Sequence, residues 1–116
     1  MIKLKRVYDP PDPRDGRRFL VERLWPRGVK KEQLHMDGWV KNVAPSDDLR
    51  RWFGHDPAKW DEFRCRYRSE LEKNPVDWQS LLDAAHGGDI TLLFSSHDLE
   101  HNNAVALQEF LEKHLD

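Results

Sequence analysis

The chain has 116 residues, 38% of them apolar and 34% charged, with a net charge of −2. That is the size of one domain whose core needs no staple, and the composition excludes a disordered polyelectrolyte. Its single cysteine, Cys65, excludes an internal disulfide, and no apolar run approaches the roughly 18–20 residues of a membrane-spanning helix.

Residues 2–8 alternate basic and apolar side chains and read as a strand rather than a secretory leader. With the lone cysteine, this points to a soluble, cytoplasmic protein made of one domain over residues 1–116. Residues 9–16 carry three prolines, which remove donors and fix φ, so they form a loop. A second strand spans 19–24, beginning Phe19-Leu20-Val21 and stopped by Pro26 and Gly28. Residues 39–43 suggest a short third strand.

Three helices follow. Ser46 is a good N-cap, Leu49, Trp52 and Phe53 share a face, and Gly54 ends the first helix. Asp56-Pro57 opens the second, in which Trp60, Phe63, Tyr67 and Leu71 recur at helical spacing. Asn74-Pro75 opens the third, with Trp78, Leu81, Leu82 and Ala85 as its stripe and Gly87-Gly88 as its stop. Residues 90–94 form a strand apolar enough for cover on both faces. A last helix is expected over 98–115, with Ala104, Leu107, Leu111 and Leu115 on one side. Strands separated by helices imply a layered α/β fold: a partly parallel sheet of three or four strands with helices on both faces.

Charge is unevenly spread. Residues 1–31 hold ten Lys/Arg against four Asp/Glu, and residues 69–116 hold two against ten. Solvated faces explain such a gradient in most proteins; a basic site for an anion is the sharper reading.

The second strand changes abruptly from Phe19-Leu20-Val21 to Glu22-Arg23-Leu24-Trp25-Pro26-Arg27-Gly28. Unpaired buried charge is costly, so Glu22 and Arg23 must pair, Glu22 with Arg23 or Arg27, or reach a cleft. Open α/β sheets bind ligands beyond the carboxyl ends of their strands. The strand at 90–94 ends similarly, in Ser95-Ser96 and then Asp98, Glu100, His101, Asn102 and Asn103, expected as the first turn of a helix whose free N–H groups suit an anion. In this reading Arg23 and Arg27 grip the anion bidentately, Lys30 adds charge and Trp25 stacks on a ligand ring. Glu22 orients Arg23 or acts as a base, and Ser95, Ser96, His101 and Asn102 complete the pocket. The bland alternative is an ion pair fixing a turn and a serine capping a helix.

Other features are weaker. His97 and His101 are spaced like metal ligands but lack a third partner, so no metal is expected. Cys65 has cationic neighbours but no base. Arg64, Arg66 and Arg68 scatter around their helix and read as solvated surface, while Trp60, Trp78 and Phe63 read as core. Trp25 and Trp52 stay open between core and site. No glycine-rich phosphate loop, dinucleotide fingerprint or serine nucleophile elbow is present, and no cofactor is named by the residues.

The block from Val21 to Lys31, with Lys5-Arg6-Val7-Tyr8-Asp9, Leu49-Arg50-Arg51-Trp52-Phe53-Gly54-His55 and Leu92-Leu93-Phe94-Ser95, closely resembles the domain of unknown function 488 (DUF488) family, in its short YeaO-like branch. The resemblance covers nearly the whole chain and implies no agreed activity; some members carry the label of a transcriptional regulator. One departure is that the family often shows Asn-His where this chain has Asn102-Asn103, which removes that histidine as a proton carrier unless His101 replaces it.

The leading expectation is therefore binding or turnover of a small anionic ligand, a nucleotide or phosphorylated metabolite, at the strand ends. A partner-binding module with exposed tryptophans is the alternative. A nucleic-acid regulator built on the helices between Ser46 and His86 ranks last, because residues 76–86 hold Asp77 and Asp83 but no Lys or Arg.

Overall fold

The strand β4 (Ile90–Phe94) is buried at all five positions because it is flanked on both edges and covered on both faces. A computed structural model describing residues 1–115 sets it between β1 (Ile2–Arg6) and β2 (Arg17–Leu20), with β3 (Gly38–Trp39) beyond β2. The order is β1-β4-β2-β3 and every pairing is parallel. Four helices complete the fold: α1 (Asp47–Phe53), α2 (Trp60–Lys73), α3 (Pro75–Gly87) and α4 (Asn103–His114). The expected α/β sheet is present, with four strands.

Strand alternation sorts the sheet into two faces. Ile2, Phe19, Ile90, Leu92 and Phe94 point to one side and pack with residues from all four helices, among them Phe53, Tyr67, Leu81 and Leu107. Leu20, Leu93 and Val7 point to the other side and are covered by Leu34, Trp25, Val29 and Met36. Both faces are covered, as an apolar central strand requires. The second layer, however, is built from loop residues and a 3₁₀ turn (Pro13–Asp15) rather than from α-helix.

The helix starts follow local chemistry. The Ser46 Oγ accepts from the Leu49 N–H at 3.2 Å, and Gly54, at φ 53°, closes α1. Asp56 caps a 3₁₀ turn, Pro57–Lys59, that runs into α2. Asn74 opens α3 without capping it; its side chain donates to the Glu70 carbonyl at 2.9 Å.

Several boundaries differ from expectation: β1 ends at Arg6 rather than Tyr8, β2 begins at Arg17 rather than Phe19, and α2 begins at Trp60, after the 3₁₀ turn. β2 stops at Leu20, although the Val21 N–H still reaches the Leu93 carbonyl at 3.2 Å, and residues 22–24 leave the sheet. β3 has two residues because β2 offers it only Phe19 and Leu20 as partners, and Lys41–Val43 winds into a 3₁₀ turn. α4 begins at Asn103 rather than near residue 98, because the Asp98 carboxylate captures the N–H groups of Glu100 and His101 at 2.9 and 3.0 Å in a separate turn. No helix among the described residues is long and apolar enough to cross a membrane.

The proline loop is anchored by a charge cluster. Asp15 and Arg18 are 5% and 6% exposed and paired with each other, and the Lys5 Nζ adds bonds of 2.9 and 3.0 Å to Asp15. Beside them Gly16, at φ 66°, passes so close to the Asp89 carbonyl oxygen that a Cβ would sit 2.0 Å from it. Burial pushes the Asp15 carboxyl up, but bonds from Lys5, the Asp12 N–H and Arg18 outweigh it and hold the group below its ordinary value. Asp15→Asn strands the Arg18 charge and should cost about 3 kcal/mol in denaturant unfolding. Because its folded pKa is depressed, Asp15 contributes stability above the ordinary carboxyl value of about 4 and loses it as pH falls through the lower folded value. The variant should therefore show a shallower acid loss of stability than wild type below about pH 4.

Candidate functional site

Neighbouring strands β4 and β2 send their chains to opposite faces of the sheet. After β2 the chain turns to the second face, where Trp25, Val29 and Leu34 pack. After β4 it turns to the first face and enters α4. Parallel strands that diverge in this way leave a crevice beyond their carboxyl ends. Here it is a cavity of about 460 Å³, within the roughly 300–1,000 Å³ of small-molecule sites.

Seven of the nine residues expected at the site line this cavity: Glu22, Arg23, Trp25, Arg27, Ser95, Ser96 and Asn102. Lys30 does not; it lies on an exposed turn where its carbonyl accepts from Gln33 and Leu34. His101 does not either. Its Nδ1 lies 3.0 Å from the Asp98 carboxylate, and its ring stands edge-on to Trp60 with centroids 5.4 Å apart. The Asp98 carboxyl is held below its ordinary value by the Glu100 N–H and by His101.

Glu22 and Arg23 do not pair. The chain bends at Arg23 and Leu24, and each side chain finds a different partner. The Glu22 Oε1 accepts from both the Ser95 N–H (2.7 Å) and the Ser95 Oγ–H (2.8 Å). The Glu22 carbonyl accepts from the Trp39 indole N–H at 2.6 Å. Arg23 donates Nε to the Pro45 carbonyl (3.3 Å) and Nη2 to the Ala44 carbonyl (3.1 Å), with Asp47 at 3.9 Å. Its bidentate fork is thus spent on the loop before α1 rather than free for an anion.

Trp25 is anchored through its indole N–H to the Val29 carbonyl at 2.6 Å and stands edge-on to Trp39. Asn102 is 3% exposed and bonded at both polar atoms: Oδ1 accepts from the Val105 N–H at 3.0 Å and Nδ2 donates to the Asp98 carbonyl at 2.8 Å. The N-terminus of α4 is therefore capped by its own side chain. The Ser96 Oγ accepts from the Asp98 N–H at 3.1 Å.

Several lining residues were not foreseen. Arg50, on α1, adds a third guanidinium, and Tyr8 follows β1 with its hydroxyl donating to the Arg27 carbonyl at 2.9 Å. Applying the strand-end rule to all three long strands, rather than two, would have found Tyr8. Arg6 braces the floor from below, donating to the carbonyls of Ser96 (2.9 Å) and Ser95 (3.2 Å). Asn103 also lines the cavity and donates to the Val21 carbonyl at 2.9 Å.

The family model described as the inactive DUF488-N3 subclade matches residues 1–116. The chain belongs to the DUF488 family, within that subclade. It is 41% identical over 110 residues to the uncharacterized protein YeaO of Escherichia coli K12, covering 95% of this chain and 96% of that one. It is 47% identical over 70 residues to the uncharacterized proteins Rv3073c of Mycobacterium tuberculosis H37Rv and Mb3100c of Mycobacterium bovis, covering 60% of this chain and 59% of each relative. No solved structure matches.

The chemistry open to this DUF488 cleft is narrow. Ser95 is bonded to a carboxylate, not to an imidazole, so no serine–histidine relay is assembled there. Among the described residues no group of three or more His, Cys, Asp or Glu side chains is placed to hold a metal ion. Arg64, Arg66 and Arg68 each meet a carboxylate, Glu109, Glu62 and Glu72. Trp52 lies between the Arg66 guanidinium (4.2 Å) and the Lys59 ammonium (5.1 Å). Asn102→Ala removes a helix cap and should lower stability by about 1–2 kcal/mol, measured as a shift of the denaturant midpoint.

Proposed function

We propose that this protein binds a small anionic molecule, a nucleotide or phosphorylated metabolite, in the strand-end cleft, and holds it without turning it over. The observation that carries this reading is the placement of Arg27 and Arg50 on one cavity with the rings of Tyr8 and Trp25. Guanidinium groups suit phosphate and carboxylate, and an anchored indole offers a face or edge to a ligand ring at little entropic cost. Arg27 and Arg50 are the anion-holding groups in this arrangement, and Arg23 positions the Ala44–Pro45 wall. Two observations support binding without turnover: the Ser95 hydroxyl donates to a carboxylate rather than to an imidazole, and the matching subclade is described as inactive.

A partner-binding role is the second reading. It rests on Leu24 and Leu99, which are 63% and 61% exposed, Leu24 at the cleft itself and Leu99 in the loop that follows Ser95-Ser96. The two readings separate in a thermal-shift screen with nucleotides, phosphorylated sugars and carboxylates. A ligand at a hundred times its Kd should stabilise wild type by about 2.7 kcal/mol. The paired change Arg27→Ala and Arg50→Ala should abolish that shift while leaving the unliganded melting temperature within a few degrees of wild type. Absence of any shift in wild type would favour the partner reading.

A further inference from the structure

Resting on that reading of the cleft, we propose that the ligand carries a nitrogen-bound hydrogen donor as well as its anionic group, and that Glu22 is the residue that reads the donor. The two Ser95 donors both fall on one carboxylate oxygen, Oε1. The other, Oε2, has no partner among the described residues, yet it is not sealed in the protein: Glu22 lines the open cavity. The nearest cation in sequence, Arg23, is turned to the Ala44 and Pro45 carbonyls, and Glu22 takes part in no ion pair among the described residues.

A half-buried carboxylate held by two bonds, with its second oxygen presented to a cavity, is an acceptor of fixed direction. An ionised carboxylate has no hydrogen to give, so Oε2 can only accept. A purely anionic ligand would face it with like charge and no donor. A ligand bearing an amine, amide or ring N–H at one end and an acid group at the other satisfies both sides of the cleft. Two kinds of molecule share this chemistry: a nucleotide whose base carries an amino or imino group, and a phosphorylated amino acid. The Trp25 and Tyr8 rings lie beside the cavity in either case.

Glu22→Gln tests the assignment with little change of shape. The glutamine carbonyl oxygen keeps both Ser95 bonds, which places its NH₂ where Oε2 stood and converts the free acceptor to a donor. Binding is measured by calorimetry on the full chain for two matched pairs. Adenosine monophosphate is set against purine riboside monophosphate, which lacks the amino group, and O-phosphoserine against 3-phosphooxypropanoate, which lacks the ammonium.

Wild type should prefer the nitrogen-bearing member of one pair by about ten-fold or more, the size expected of a bond to a charged group. Which pair shows it identifies the source. Glu22→Gln, melting close to wild type, should lose or reverse that preference, whereas Arg27→Ala should weaken both members equally. Equal affinity within both pairs in wild type, or a preference unchanged in Glu22→Gln, overturns the assignment and leaves the anion cleft standing. Binding of none of the four by wild type overturns the assignment, and with a silent screen of phosphorylated sugars and carboxylates it overturns the anion cleft as well.

Discussion

The site depends on the bonds between the Glu22 carboxylate and Ser95. The two residues are 73 positions apart and sit just past the ends of adjacent parallel strands, where the ladder has run out of backbone partners. Charge-assisted bonds of this kind are among the stronger polar contacts, and here they join β2 to β4 where the two chains part. Arg6 reinforces the junction from β1 by holding the Ser95 and Ser96 carbonyls. Ser95 is thus gripped through its amide, hydroxyl and carbonyl, by Glu22 just past β2 and Arg6 on β1.

From that junction the rest of the cleft follows. Residues after β2 roll onto the second face of the sheet and bring Trp25 against Trp39 and the Trp25 indole N–H onto the Val29 carbonyl. Residues after β4 turn to the first face, where Asn102 caps α4 and Asn103 ties back to Val21. Arg23, released from any need to neutralise Glu22, closes the wall made by Ala44 and Pro45. The Tyr67 hydroxyl donates to the neighbouring Val43 carbonyl at 2.5 Å, and its burial pushes the phenol far above the ordinary range, so it remains a donor. The core is continuous up to this wall, since Val43 and Tyr67 belong to the main apolar cluster.

Much of this was legible in the residues, because the signals are local. Ser46, Asp56-Pro57 and the αL glycine Gly54 act within one turn of themselves, and each marks a true boundary. The apolar run at 90–94 announces a central strand through burial alone. What escaped are outcomes set by distant partners. β3 is short because β2 supplies only two partners, and α4 starts late because Asp98 draws the preceding N–H groups into its own turn. The abrupt polar end of β2 pointed to residues that line the cavity, but not to the division of labour among them. Glu22 and Arg23 look like a pair in sequence; their different directions become visible only when Ser95 and Pro45 are in place. Lys30 and His101 illustrate the same limit: proximity in the chain to a site residue does not bring a side chain into the cavity.

Hydrogen exchange at one amide tests the strand-end junction directly. Ser95 lies past the end of the ladder, and its N–H is held by the Glu22 carboxylate, so its protection reports that bond. In wild type the Ser95 amide should exchange slowly, at a rate comparable with the Phe94 amide. In Glu22→Ala it should exchange at least about a hundred-fold faster while β4 stays protected, as opening of this bond alone would give. A Ser95 amide that exchanges rapidly in wild type, or equally slowly in both proteins, would contradict the account, for the carboxylate would not be what joins the two strand ends.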